Sequence, residues 1–221
     1  MPADEIERLQ RWVLNVGSGP ATRKGLHPAF HRQEWTEVRL DIEPRVAPDI
    51  VGSMVSMPQI KDGTFDAVWS SHNVEHLHAH EVPLAMAEFR RILRGDGFAL
   101  ITCPDIASIA KLVVEGRLED VAYVSPAGPI TALDMLFGHS ASVAAGQSHM
   151  AHNTGFTLRR LADKLVAAGF REVRAMKGGS YDLWVLALVG SMDLAKDCLC
   201  GTPQATLLQD PREAAPSART A

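Results

Sequence analysis

Cysteine is scarce: three in 221 residues, too few for the disulfide framework of a small secreted scaffold. Cys198 and Cys200 form a C-x-C rather than the C-x-x-C of common zinc and redox sites, and Cys103 sits inside the apolar run FALITCPD. All three read as reduced thiols. No stretch of about 18 apolar residues is present, so neither a transmembrane helix nor membrane insertion is expected. The chain begins MPADEIERLQRW, acidic and polar where a secretory leader is basic and then apolar, and a cytoplasmic protein is expected. The net charge is only -4 and no basic cluster stands out, which gives no pull toward nucleic acid or an anionic surface. Internal repeats are also missing. What is there is ordinary globular material, 46% hydrophobic and 22% charged, long enough for one substantial α/β domain rather than two.

The apolar pattern alternates between strand and helix. Residues 3–11 read as a short amphipathic helix with Ile6 and Leu9 on one face, and WVLNV (12–16) as a buried strand ending at Gly17. TEVRLDI (36–42), PDIVGSM (48–54), FDAVWSS (65–71) and GFALITC (97–103) read as further strands. From 82 to 93, Val82, Ala85, Met86, Phe89, Ile92 and Leu93 fall on one helical face, with Pro83 in the first turn and Gly95 as the stop. Leu158, Leu161, Leu165 and Ala168 mark another helix, with Thr157 as N-cap and Gly169 as stop. FREVRAM (170–176) and YDLWVLALVG (181–190) close the pattern as a strand pair. The expected fold is α/β, a doubly wound, mostly parallel seven-stranded sheet with one antiparallel strand. Residues 1–200 form a single domain in this reading, with an insertion at about 104–156 on the acceptor side. The stretch from 201 to 221 reads as a disordered tail.

Ligands of such sheets bind at the carboxyl ends of the strands. There the first strand delivers VLNVGSGPATRKG, where Gly17 and Gly19 permit a sharp bend and close backbone approach. Asp41 follows 24 residues after Gly17 at the end of the next strand, where a carboxylate can accept both hydroxyl hydrogens of a ribose. A dinucleotide needs more: a third glycine and a helix N-terminus facing its pyrophosphate. Here Thr22 stands at the third glycine position, Pro20 removes an amide donor, and Gly25 and Pro28 discourage a long helix. A phosphate-free nucleoside such as S-adenosylmethionine needs only the close approach and the carboxylate.

In order, LNVGSGP, VRLDIEP, DIVGSMVSMPQIKDGTFDAVWSSHNVEHL and EFRRILRGDGFALITCPD resemble the successive motifs of Rossmann-like, class I S-adenosylmethionine-dependent methyltransferases. The likeness is greatest to the small-molecule group called type 11, and within it to members with a short segment between the first two strands. It covers roughly residues 12–105, and HNTGFTLRRLADKLVAAGF more loosely. The resemblance implies S-adenosyl-L-methionine as cofactor. It places Val16, Gly17 and Gly19 against the amino acid part, Asp41 on the ribose, Ile42 beside the adenine, and Ser53 and Met54 at the adenine edge. Ser70, Ser71 and His72 would sit under the sulfonium. Two departures stand out: the third glycine of the loop is replaced, and the acidic residue common at the adenine edge is absent from Gly52-Ser53-Met54.

SSHNVEHLHAHE (70–81) contains four of the nine histidines and spells H-x-x-E-H from His72 to His76, a zinc-peptidase pattern. That reading needs a settled helix from residue 72, where a strand has only just ended, and a third ligand that nothing fixes nearby. No metal is therefore expected. The stretch reads instead as the rim where cofactor and acceptor meet. His72 and His76 are the candidate catalytic bases, Glu75 is a candidate for a structural role beside His76, and His78 and His80 read as surface. His149 and His152, in GQSHMAHNTGF, are further candidate bases within the insertion, and Trp69, Met135, Phe137 and Met150 could line an acceptor pocket. The expected function is in-line methyl transfer to a small molecule. The alternative is a non-catalytic binding or scaffold protein that retains the fold.

Overall fold

The computed structural model describes residues 10–22 and 25–209; the helix expected over 3–11 therefore falls largely outside the described residues. Strands β1 (Arg11–Val16), β2 (Trp35–Asp41), β3 (Ile50–Val51) and β4 (Phe65–Ser71) lead to helix α1 (Val82–Ile92) and the long strand β5 (Leu93–Pro104). Next come α2 (Ile106–Val114), the hairpin β6 (Val121–Ser125) and β7 (Gly128–Thr131), and the short helices α3 (Ala132–Phe137) and α4 (Ser140–Ala144). Helix α5 (Leu158–Ala167), the strand pair β8 (Glu172–Lys177) and β9 (Asp182–Leu188), and α6 (Asp193–Leu199) complete the chain. The main sheet has seven strands in the order β3-β2-β1-β4-β5-β9-β8. Only β9 is antiparallel to its neighbours. This is the expected doubly wound sheet with one reversed strand.

The alternation of side chains along each strand separates two cores. Leu14, Val16, Leu40, Val68 and Ile101 face the apolar side of α1 and, through Leu161 and Leu165, α5. Val13, Ala67, Trp69, Phe98 and Leu100 face the other way, against Phe30, Trp35 and the α6 residues Ala195, Cys198 and Leu199. Thr157 caps α5 by accepting from Arg160 N, and Gly169 leaves it with a φ of 93°, as expected. The first crossover is short: in place of a helix it holds one 3-10 turn, Pro28–His31. His27 Nδ1 accepts from Ala29 N at 3.2 Å, so Nε2 carries the proton and donates to Gln204 Oε1 at 2.9 Å.

Two expectations are corrected. Helix α1 stops at Ile92 and Leu93 already belongs to β5, so Gly95 lies in a strand; the buried Leu93 pairs with Phe65 across the sheet. Residues 201–209 are ordered: Pro203–Leu208 forms a 3-10 turn that buries Leu207 on the second core, and Arg174 donates to the carbonyls of Leu207 and Gln209. The stretch expected as an insertion, 104–156, holds a small core of its own, formed by Ile109, Leu112, Ile130, Ala132 and Met135. Cys103, Cys198 and Cys200 are all unpaired. Among the described residues no helix is long and apolar enough to cross a membrane.

Parallel pairing brings the carboxyl ends of β1, β2, β3 and β4 to one edge: Val16 lies beside Leu40 and Ser70, and Asp41 beside Val51. The sheet order reverses between β1 and β4, which opens a crevice there.

Candidate active site

The turn after β1 is built around two left-handed residues, Gly17 at φ 64° and Gly19 at φ 59°. Any other residue would resist this backbone by about 1–2 kcal/mol. Gly17 N donates to Leu40 O at 2.8 Å. The Asp41 carboxylate then ties the loops after β1 and β2 together, accepting from Gly19 N at 2.8 Å and Glu43 N at 2.9 Å. Each carboxylate oxygen has a second lone pair, so Asp41 retains acceptor capacity toward a ligand. Arg39 closes the outside of the turn, donating to the carbonyls of Gly19, Val46 and Ala47. On the inside, the Asn73 amide packs directly onto the bare Cα of Gly17.

These elements enclose a cleft of 640 Å³. Of the expected cofactor residues, Val16, Gly17, Gly19, Asp41, Ile42, Ser53, Met54 and His72 line it, as does His76. Ser70 and Ser71 do not. Strand β4 runs on through Ser71, pairing with Thr102 of β5, and Ser70 is completely buried between Val16 and Ile101. The chain leaves the sheet only at His72, whose φ of 49° is unusual for a non-glycine residue. The rim therefore begins two residues later than the resemblance implies. Asn73, Leu77, Gln147, His149 and Met150 also line the cleft. Asn73 could not be anticipated, because its role depends on facing Gly17 across the crevice.

A second cavity of 560 Å³ opens beside the first, under the β6–β7 hairpin and α3. The two cavities share His72, His76 and Met150. Met135, His152, Tyr123 and Tyr181 line only the second. Phe137 is exposed and lines neither, and Trp69 lies on the opposite face of the sheet, stacked on Trp184 and donating to Gly25 O. His78 and His80 are exposed and stack on one another, as surface residues would.

The H-x-x-E-H segment does not form a helix. Asn73 ends the strand exit, Val74–His76 makes a single 3-10 turn, and His72 and His76 consequently do not share a helical face. Glu75 is instead driven inward, only 1% exposed. His72 Nδ1 lies 3.5 Å from Glu75 Oε1, an ion-pair contact without hydrogen-bond geometry. Burial pushes the Glu75 carboxyl up, but His72, then His76 and His152, outweigh it and hold it below the ordinary value. Burial pulls His72 down, and Glu75 with Asp182 more than reverses this, so its pKa is raised. Half of the His72 side chain remains open to the cleft. For His152 burial wins: with His76 nearby, its pKa is lowered despite Glu75, which favours the neutral ring.

Residues 15–101, spanning the glycine turn to β5, match the family profile described as Methyltransferase domain. Over these residues the chain is similar to that family, and its seven-stranded sheet is the fold of class I S-adenosylmethionine-dependent methyltransferases. Among curated proteins no sequence matches this one. Solved structures do. A Pyrococcus horikoshii protein superimposes with a TM-score of 0.54 at 15% identity, covering 83% of this chain and 85% of its own. An S-adenosylmethionine-dependent methyltransferase from Archaeoglobus fulgidus gives 0.54 at 14% identity, covering 84% and 90%. The 1,6-didemethyltoxoflavin N1-methyltransferase of Burkholderia thailandensis, solved with its substrate and S-adenosylhomocysteine, gives 0.51 at 16% identity, covering 85% and 74%. At these identities the likeness is one of fold. S-adenosylmethionine is the cofactor that this likeness implies, and the residues of the 640 Å³ cleft fit it: glycine backbone for close approach, a carboxylate for a ribose, and the apolar Ile42 and Met54 for an adenine.

Proposed function

We propose that this protein methylates a small molecule held in the 560 Å³ cavity, with its cofactor in the 640 Å³ cleft. The observation that carries the reading is that the two cavities meet at His72, His76 and Met150. That junction supplies what in-line displacement needs, a donor and an acceptor approaching from opposite sides of one carbon. Val16, Gly17 and Gly19 hold the amino acid end of the cofactor, Asp41 the ribose, and Ile42, Ser53 and Met54 the adenine. S-adenosylmethionine supplies the methyl group; the chain's own residues align, exclude water and move a proton. His72, backed by Glu75 at 3.5 Å, takes the proton of an acceptor that must lose one, and His76 sits beside it at the junction.

A cavity of this size suits a small acceptor, and the Burkholderia protein of the same fold was solved with a small molecule bound. The net charge of -4 supports no nucleic-acid partner, and three unpaired thiols support a reducing, cytoplasmic setting. The test fills the second cavity. Ala127 lines it and not the cleft, so Ala127→Trp should abolish release of S-adenosylhomocysteine with an accepted substrate while calorimetry shows cofactor affinity unchanged. Wild-type turnover in the Ala127→Trp variant would remove the acceptor from this cavity.

A further inference from the structure

Glu75, His76 and His152 come from two separate segments, yet one ligand-type atom of each lies within 4.8 Å of the others. The Glu75 carboxylate is the decisive feature. It is 1% exposed, and neither oxygen has a hydrogen-bond partner. His72 at 3.5 Å is an ion-pair contact without a hydrogen bond, and a buried carboxylate is costly until its lone pairs are also satisfied. The two imidazoles beside it are already oriented. His76 Nδ1 lies 3.0 Å from Ala151 O and His152 Nδ1 lies 2.9 Å from Met135 O. A carbonyl can only accept, so both Nδ1 atoms carry protons and both Nε2 atoms carry lone pairs. This is the arrangement that fixes the tautomer of metal-ligating histidines.

The backbone is lashed together at the same place. Asn153 N and Thr154 N donate to Glu75 O at 2.9 and 3.1 Å, and Asn153 Nδ2 donates to His76 O at 2.8 Å. The rings of His76 and His152 meet edge to face with centroids 4.9 Å apart. Turn 74–76 and segment 151–154 thus form one rigid cradle.

We propose that Glu75, His76 and His152 bind a divalent first-row transition-metal ion at the wall of the second cavity. Two imidazoles and one carboxylate are the donor set such ions favour, and a tetrahedral ion would draw the three donors to about 3.3 Å apart. This is not the peptidase pattern spelled by the sequence. His72 is replaced as a ligand by His152, 76 residues beyond His76, and keeps its ion-pair contact of 3.5 Å with Glu75. All three ligands line the second cavity, so the remaining coordination positions face the acceptor. Resting on the methyl-transfer reading, the acceptor class follows: an alcohol or phenol whose oxygen the cation orients. Its O–H proton passes to His72, the oxygen forms the bond to the methyl carbon, and the C–S bond breaks with its electron pair returning to sulfur.

The test uses tag-free full-length protein stripped with a chelator, titrated with cobalt(II) under visible spectroscopy and with zinc(II) and manganese(II) by calorimetry. One ion per chain is expected, with d–d absorption from cobalt. Glu75→Gln and His152→Ala should each weaken binding at least tenfold, and exposed His78→Ala should not. Circular dichroism and S-adenosylhomocysteine affinity, measured on the same samples, report folding and the cofactor site separately. If folded wild-type protein binds none of the three ions below millimolar concentration, or if both variants bind as wild type, the metal site is wrong even when S-adenosylhomocysteine still binds. Metal binding without S-adenosylhomocysteine binding leaves the site standing and removes the methyl-transfer reading. Turnover confined to amines would overturn the oxygen assignment.

Discussion

Gly17 and Gly19 adopt nearly the same backbone, with φ of 64° and 59°, yet substitution should affect them differently. For either residue, an alanine in the left-handed region costs about 1–2 kcal/mol, partly offset by about 0.4–1 kcal/mol from a stiffer unfolded chain. At Gly19 a Cβ meets nothing within 4 Å, so Gly19→Ala should destabilise by only about 1 kcal/mol. At Gly17 the Cβ would lie 2.1 Å from Asn73 Nδ2 and 2.3 Å from its Cγ. Relieving that overlap adds about 1–3 kcal/mol, for a total of about 2–4 kcal/mol. In the proposed cofactor placement the open space at Gly19 is taken by the ligand, so the milder substitution should cost as much affinity as the more disruptive one. Urea denaturation gives the first quantity and calorimetry with S-adenosylhomocysteine the second. Asn73→Ala should rescue the stability of Gly17→Ala by removing the obstructing amide. Equal destabilisation at the two glycines, or wild-type affinity in Gly19→Ala, would refute the packing argument.

Asp41→Ala removes the acceptor of two backbone bonds and the carboxylate proposed to hold the ribose; at about 1.5–3 kcal/mol per charged hydrogen bond, S-adenosylhomocysteine affinity should fall at least a hundredfold, and unchanged affinity by calorimetry would withdraw the ribose assignment. Phe89, with no exposed surface between α1 and the sheet, should cost about 3–5 kcal/mol when truncated to alanine, read as a lower urea midpoint. Asp134 gives a pH signature. Burial raises its carboxyl, but bonds from Ser140 and Thr131 outweigh this and depress it from 3.8 to about 2. A depressed folded-state value means stability present above the unfolded value and lost as pH falls through the folded one, so the contribution, on the order of 1 kcal/mol after screening, disappears between about pH 4 and 2. Asp134→Asn should flatten that limb of the acid-unfolding curve, and superimposable limbs would count against it.

Much of this architecture is legible because local and global signals agree. The buried run ending at Gly17, the carboxylate closing β2 and the one-faced helix α1 each have a local chemical cause, so the sheet and much of the lining of the 640 Å³ cleft can be read from pattern and motif. The corrections share a different origin. Ser70 and Ser71 are placed beside the sulfonium by the resemblance alone, although the strand read over 65–71 already contains them, and pairing with Ile101 and Thr102 keeps both in the sheet. Leu93 satisfies a helical period and a strand equally well, and only the partner Phe65 decides. Leu207 carries too little local pattern to reveal that α6 leaves a hollow for it. The H-x-x-E-H spelling sets His72 and His76 with Glu75, whereas the proposed metal site takes His152 in place of His72, and residue 152 meets Glu75 only through the folded insertion.

Methyl donor and acceptor should meet where the two cavities join, and a crystal structure with S-adenosylhomocysteine bound would show whether they do. The adenosine ribose is expected on Asp41 and the sulfur in contact with the junction of His72, His76 and Met150. Adenosine lying in the second cavity, or a sulfur turned toward solvent at Pro20 and Arg45, would contradict this arrangement.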